Sequence, residues 1–432
     1  VKNLFRLVHT SPALRQSLIL VGGSLFAGVF TAAALILISR HLGPVLFAEF
    51  TVGYSLMVII TKIQSLGLNV ALQKIAGPYF HHPDWEKQIS KLIKVSSRIN
   101  ALIILASISI GLLFAYPLSL ILNFTSPVIL FGSFLFASVI MVFEFGTTIL
   151  QMIHQFSTSV LMLVTQSVLK LGVALIVQVL GFDSVTFLFY VFYAVPIFSM
   201  AVLFKSLPKN IQILPVEHDA ALEQKLWRVM KHSMVLVATV GIIDYLDILL
   251  VQKFTTPFET GIYGGMAQLT TAVTLVGYSL AAVLDARVAR YYHLEQLHSF
   301  LKKSLSIVVA AAVGFIVYLP LTHLSIRLTL GAQYFAGEPF LPWLMLSGFI
   351  FIASVPFSAL FYSLDHPKYF SLSGFGQILI TVVGGVVFIP QFGLAGAAWV
   401  KVATRLFLLV FTLGFAAYAI KRRAVEEAAI IV

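Results

Sequence analysis

The segment IIDYLDILLVQKF (242–254) places two aspartates three residues apart inside an apolar run. A charged side chain at the centre of a bilayer costs about 2.5–3.5 kcal/mol, so Asp244 and Asp247 together cost about 5–7 kcal/mol unless a cavity or a cation relieves them. At i and i+3 they share a helical face, so both can look inward. Two chemistries fit that pattern: a site for a proton or sodium ion that couples transport to an ion gradient, or a structural pairing with an interior base such as Lys62. Glu144, alone in the aromatic setting VFEFG, either joins the coupling groups or serves as a hydrogen-bond anchor. Lys401 and Arg405 stand at i and i+4 on one face, and Lys170 lies near the middle of its own apolar run. With Lys62 they make four interior bases against three interior acids. Surplus positive charge suits a phosphate-bearing substrate. The alternative is that carbonyls and acids satisfy the bases internally, with Arg405 reaching the interface.

The runs that hold these residues are membrane spans. The chain of 432 residues is 59% hydrophobic and 10% charged, with a mean hydropathy of +0.98 and 37 phenylalanines, which lies outside the range of soluble domains. The apolar runs predict an all-α integral membrane protein of about twelve helices: 17–39, 46–69, 100–122, 128–150, 158–180, 185–204, 232–252, 262–284, 304–326, 341–363, 370–389 and 394–418. The first run, SLILVGGSLFAGVFTAAALILIS, is too long for a signal-peptide core and is expected to be retained. The opening VKNLFRLVHTSPALRQ reads either as an interfacial amphipathic helix or as a frayed, charged terminus.

Of the 28 lysines and arginines, 21 fall in segments that are inside if the N-terminus is cytoplasmic. Only Arg40, Lys253 and Arg327 fall outside, and the remaining four are the interior bases. That asymmetry predicts both termini on the cytoplasmic side and accounts for the net charge of +11 without a nucleic-acid partner. The loops are too short for an extramembrane catalytic domain. The chain has no cysteine, hence no thiol chemistry. His81–His82 and His293/His298 lack zinc-ligand spacing, and no phosphate-binding glycine loop occurs, so neither a metal nor a cofactor is expected.

The chain repeats. ILISRHLGPVLFAEFTVG (35–53) aligns with ILLVQKFTTPFETGIYGG (248–265) at an offset of 213, which sets Pro44 on Pro257 and Phe50 on Tyr263. An even number of helices per copy makes the repeat parallel, with lobes at 1–215 and 216–432 and a substrate path expected between them. Thr51, Ser55, Lys62, Ser65 and Asn69 form a polar stripe on the second helix, and Gln268, Thr271, Thr274 and Tyr278 form one on the eighth. These are either walls of a wet cavity or small and hydroxyl residues that pack helices. The offset puts Thr31 and Ala34 where Asp244 and Asp247 stand, so the acids are an asymmetry between the copies.

LGPVLFAEF, DILLVQKFTTPFETGIYGGMAQL, LGAQYFAGEPFLPWLMLSGF and FIPQFGLAGAAWVKVATR, in this order along nearly the whole chain, resemble the Wzx-type flippases. These form the polysaccharide transport branch of the multidrug/oligosaccharidyl-lipid/polysaccharide exporter (MOP) superfamily. The resemblance implies two six-helix lobes forming a V-shaped bundle that alternates its opening in the bacterial inner membrane and carries an undecaprenyl-diphosphate-linked oligosaccharide for polysaccharide (O-antigen) synthesis. It implies that Asp247 matches a frequent acidic position, and that Gly43, Pro44, Gly261, Tyr263, Gly331, Tyr334, Gly393 and Gly396 match positions that shape turns and close packing. It departs at AAVLDARVARYY, where Asp285 stands near the family's usual proline.

The expected mechanism puts Lys62, Lys170, Lys401 and Arg405 on the diphosphate or acidic sugars, and Asp244, Asp247 and Glu144 on the coupling ion. Thr51, Ser55, Asn69, Gln268, Thr271 and Tyr278 line the cavity. Partners are the lipid-linked oligosaccharide, membrane lipid, a proton or sodium ion, and the polymerase or glycosyltransferases of the same glycan. A cation-exchanging multidrug extruder of the same superfamily is the nearest rival and requires a net acidic site. A membrane-embedded polyprenyl-dependent glycosyltransferase requires an acidic or metal-binding pair on an outer loop, where only Asp183, Glu259 and Glu338 stand, widely separated.

Overall fold

A computed structural model describes residues 12–206, 219–288, 294–363 and 367–431, and among them only helices and connecting turns occur. The proposed interfacial helix at the N-terminus lies largely outside the described residues, as does His293. The helices are α1 (Pro12–Gln64), α2 (Leu68–Ala76), α3 (Trp85–Ile121), α4 (Pro127–Met152), α5 (Phe156–Leu180), α6 (Val185–Ser206), α7 (Ala220–Phe254) and α8 (Pro257–Val288). They continue with α9 (Leu294–Tyr318), α10 (Thr322–Leu328), α11 (Leu341–Ser358), α12 (Leu360–Ser363) and α13 (Pro367–Ile431).

Ten stretches among the described residues are long and apolar enough to cross a membrane. Two of them, Ile19–Phe80 and Tyr369–Arg422, run for 62 and 54 residues, more than twice the roughly 20 needed for one crossing. The long helices within them, α1 and α13, are each broken once at a glycine that leaves helical geometry, which divides each stretch into two crossings and gives the expected twelve. In α1 the break is Gly43 (φ 69°, ψ 171°), followed by Pro44. In α13 it is Gly393 (φ 55°, ψ −132°), just past Pro390. A positive φ is strained for any residue with a Cβ, and proline both lacks an N–H and fits the first turn of a new helix. The repeat mate of Gly43–Pro44 is Thr256–Pro257, which starts α8 by a capping box. Thr256 donates its backbone N–H to Glu259 Oε2 at 3.0 Å, and Glu259 donates its own to Thr256 Oγ1 at 3.3 Å.

Four of the expected spans differ in the structure. The run 46–69 breaks at Leu66 and Gly67, both left-handed (φ 43° and 71°), so α2 is a separate helix. The run 304–326 is interrupted at Leu319–Leu321, where Pro320 withholds a donor. At their N-terminal ends, α3 starts at Trp85 and α7 at Ala220, well before 100 and 232. These extensions are amphipathic rather than apolar. Their inner faces (Ile89, Leu92 and Ile93; Leu222, Leu226 and Met230) bury in one hydrophobic cluster with α2. Asp219 Oδ1 accepts the N–H of Leu222 at 2.9 Å and caps α7.

The helices gather into two compact units. One holds residues up to Leu35 together with Val52–Tyr245, and the other holds Ile36–Thr51 together with residues from Leu246 onward. The expected lobe boundary at 215/216 therefore differs from the compact units by two segments, 36–51 and 216–245. In the second unit, the segment 36–51 is held around its kink. Tyr334 donates to the Ser39 carbonyl at 2.9 Å, Gln333 Nε2 to the Arg40 carbonyl at 2.7 Å, and Gly261 lies against the Pro44 carbonyl. Burial raises the pKa of the Tyr334 phenol, so it remains a donor. Gly43, Pro44, Gly261, Gly331 and Tyr334 thus meet at one joint.

A Cβ at position 261 runs into backbone, whereas Gly22 has open space around it. Gly261→Ala is expected to destabilise by about 1–3 kcal/mol and lower the apparent melting temperature in detergent. Gly22→Ala, measured beside it, should leave the melting temperature unchanged.

Candidate functional site

In the first unit, the second half of α1 turns Tyr54, Met57, Val58, Thr61 and Lys62 toward a cavity of about 210 Å³. Glu144 of α4, Lys170 of α5 and Tyr193 of α6 close it from other sides, with Thr31 and Tyr245 completing the wall. Lys62 Nζ sits 2.7 Å from Glu144 Oε1, and both side chains are about 30% exposed. The stem of Lys62 runs against Gly241 of α7, where a side chain would collide with it. Lys170 is different. Its side chain is buried at 5% exposure, and its ammonium lies 5.2 Å from the ring centroids of both Phe192 and Tyr193. No carboxylate among the described residues pairs with it. Cation–π attraction to two ring faces is the compensation the protein supplies. Around it, Tyr54 stacks on Tyr193 at 5.8 Å, and the Tyr54 and Tyr245 hydroxyls are 3.2 Å apart. Asp244 lies close enough for its charge to act on Tyr54.

In the second unit the ionic groups close on one another. Asp247, 4% exposed, takes Lys401 Nζ at 2.9 Å and the Tyr263 hydroxyl at 2.6 Å, both on Oδ2. Its Oδ1 accepts the N–H of Ile248 at 3.0 Å. Arg405, also 4% exposed, donates to Gln377 Oε1 at 3.3 Å and lies 4.9 Å from the Phe351 centroid. Tyr278 packs on the other member of that contact, its ring 5.0 Å from Phe351.

The two aspartates that share a helical face therefore belong to different units, with the division between Tyr245 and Leu246. Lys62 meets Glu144 rather than either aspartate. Of the expected polar walls, Thr51 is buried against Gly264, Ser55 is fully buried, and neither lines the cavity. Asn69 and Thr271 are half-buried, Gln268 is buried, and Thr271 bonds its own helix at the Ala267 carbonyl, 3.0 Å away. Of the expected stripe on α1 only Lys62 lines the cavity; the other residues that the second half of this helix turns to it are Tyr54, Met57, Val58 and Thr61.

Sequence reasoning missed Tyr263, Tyr54, Tyr245 and the Phe192–Tyr193 pair. One signal was present: Tyr263 is the repeat mate of Phe50, and a hydroxyl added to one copy alone marks a bond made in one copy alone. The second ring pair had no such mark, since aromatics are abundant throughout.

This architecture defines a class, a multi-pass helical membrane protein with a transporter fold. It is similar over 95% of its length to a multidrug resistance MATE family transporter of the MOP superfamily in its inward-facing conformation (TM-score 0.78, 13% identity, 99% of that chain covered). It is also similar to the lipid II flippase MurJ in an inward closed conformation (TM-score 0.75, 11% identity, 93% of this chain and 89% of that one). A third similar structure is the MATE multidrug transporter DinF-BH in complex with R6G (TM-score 0.63, 14% identity, 94% of each chain). No protein-family model and no curated protein matches the chain.

Removing one partner of a buried ion pair leaves the other charge uncompensated, at about 3–5 kcal/mol. Asp247→Asn should therefore unfold at a clearly lower temperature than the parent. Asp247→Asn combined with Lys401→Met should recover most of the loss in a double-mutant cycle; additive losses would show that the two side chains are not coupled.

Proposed function

We propose that this protein is a flippase that moves an anionic, polyprenyl-diphosphate-linked oligosaccharide across the bacterial inner membrane by alternating access, with both termini in the cytoplasm. The observation that carries this reading is Lys170: a buried ammonium with aromatic faces and no acid partner, on the wall of an open cavity. The interior acids point the same way. Glu144 is held by Lys62, and Asp247 by Lys401 and Tyr263. A site for cationic drugs needs an acid in excess; here the open charge is positive. The rival glycosyltransferase reading is weakened because two of the three outer-loop acids, Glu259 and Glu338, have structural tasks. Glu259 closes the capping box of α8, and Glu338 pairs with His323 at 3.0 Å.

The coupling role first expected of three acids narrows in this reading to Asp244 and Glu144. Asp247 holds the second unit together until Lys401 is released. The similar folds of a lipid flippase and of multidrug exporters support transport as the class of activity and leave the choice of cargo to the charge argument.

A charge-assisted hydrogen bond contributes about 1.5–3 kcal/mol, so loss of the ammonium should slow transport about 10–100-fold. The assay is flipping of a lipid-linked glycan in proteoliposomes at matched protein levels, comparing Lys170→Met with Lys170→Arg. The arginine variant should keep most of the rate. Undiminished flipping by Lys170→Met, with efflux of a cationic dye lost in Glu144→Gln, would replace the flippase by the cation exporter. Independently, a fluorescent protein fused after residue 432 should fold and fluoresce in the cytoplasm; a dark fusion that is active as a periplasmic reporter would invert the topology.

A further inference from the structure

The cavity of the first unit limits which part of a glycolipid it can accept. Its volume of about 210 Å³ falls below the roughly 300–1,000 Å³ of sites for drug-sized ligands, so it admits one ring rather than an oligosaccharide. Its wall is rich in flat, apolar surface: Tyr54 and Tyr193 stacked within 7° of parallel, Phe192 edge-on to Tyr193 at 5.1 Å, and Tyr245 edge-on to Tyr54 at 5.4 Å. Ring faces of negative potential attract the C–H faces of a pyranose and repel phosphate oxygens. The charge available is one ammonium. Lys62 is already neutralised by Glu144, and Asp244 adds negative potential near Tyr54. A diphosphate brings at least two negative charges to that single open cation and needs several donors to replace its water. A carboxylate brings one.

We infer that the cavity between α1, α4, α5 and α6 is a subsite for a single acidic sugar, a hexuronic-acid residue whose ring lies against the half-buried Tyr54 and Tyr245 and whose carboxylate meets Lys170, with the fully buried Phe192 and Tyr193 holding the ammonium from behind. This deepens the flippase reading and rests on it. The diphosphate is then held elsewhere, and the glycan is recognised by one acidic unit at a time. Gln166, which also lines the cavity, offers an amide to the ring hydroxyls.

The test uses the full chain purified in detergent and saturation-transfer NMR with the methyl glycosides of glucuronic and galacturonic acid. Methyl glucoside and inorganic pyrophosphate serve as comparisons. A methyl hexuronide should give a signal that methyl glucoside at the same concentration does not, and pyrophosphate should not displace it. Lys170→Met and Tyr193→Leu should each weaken binding at least tenfold, Lys170→Arg should restore it, and Lys303→Met should leave it unchanged. Thermal unfolding confirms that each variant is folded. Displacement by pyrophosphate, or Lys170-dependent binding of pyrophosphate alone, would overturn the inference in favour of a diphosphate site. Absence of hexuronide binding, or binding unaltered in Lys170→Met, would overturn it outright. If Lys170→Met still slows flipping in those cases, the flippase reading stands and only the acidic-sugar subsite falls; if flipping is also unchanged, both fall.

Discussion

An ion inside a bilayer must find a counter-charge or a polar partner within a few ångströms, and that constraint organises the interior of this protein. Lys62 finds Glu144, Lys401 finds Asp247, and Arg405 finds Gln377 and the face of Phe351. These contacts join different helices or, for Arg405 and Gln377, the two arms of α13 on either side of Gly393, so they also fix how those segments are rotated about their axes. Gly241 leaves space for the stem of Lys62, and Tyr263 adds a second donor to Asp247. Such pairs are poor sources of net stability, because desolvation offsets most of the Coulomb gain. Their use lies in specifying one arrangement of apolar helices that lipid alone would not discriminate.

Against that background the exception is informative. Lys170 is as buried as Arg405, yet what faces it is aromatic surface and empty volume. A protein that answers its other interior bases with side chains and leaves this one to ring faces keeps a cation available to whatever enters the cavity. The second unit is closed electrostatically while the first is open, and the difference arises from side chains, since both units are built from the same kind of helix.

The spans and their number were legible because hydropathy is a property of composition, and a bilayer reads composition. The family resemblance marked Gly43 and Gly393 as turn-shaping positions, and each lies between apolar runs, Gly43 next to Pro44 and Gly393 three residues past Pro390. What could not be read were features decided by tertiary contact. The extensions of α3 and α7 are half polar, and they become helices because Ile89, Leu92, Leu226 and Met230 bury together with α2. The pairing of Lys62 with Glu144 links residues 82 apart in the chain, and nothing local distinguishes it from the pairing with an aspartate that the composition also allowed. The hydroxyl stripe on α1 misled for a physical reason. In a membrane protein a hydroxyl can bond its own helix, as Ser65 does to the Lys62 carbonyl at 2.9 Å, so polarity does not mark the wet face as it would in water.

The repeat sharpens the division of labour between the copies. Thr31 occupies the position that Asp244 holds in the second copy, and it donates to Ser167 at 3.1 Å on the wall of the cavity. Ala34, the mate of Asp247, is fully buried and apolar. The apolar run of α7 thus carries two acids where its counterpart in α1 carries none, and the compact units divide between Tyr245 and Leu246, so one acid lies in each. For Asp247 the answer is already on the chain: Lys401 at 2.9 Å and the Tyr263 hydroxyl at 2.6 Å meet it within its own unit, so the acid that the second copy adds there arrives together with the groups that neutralise it.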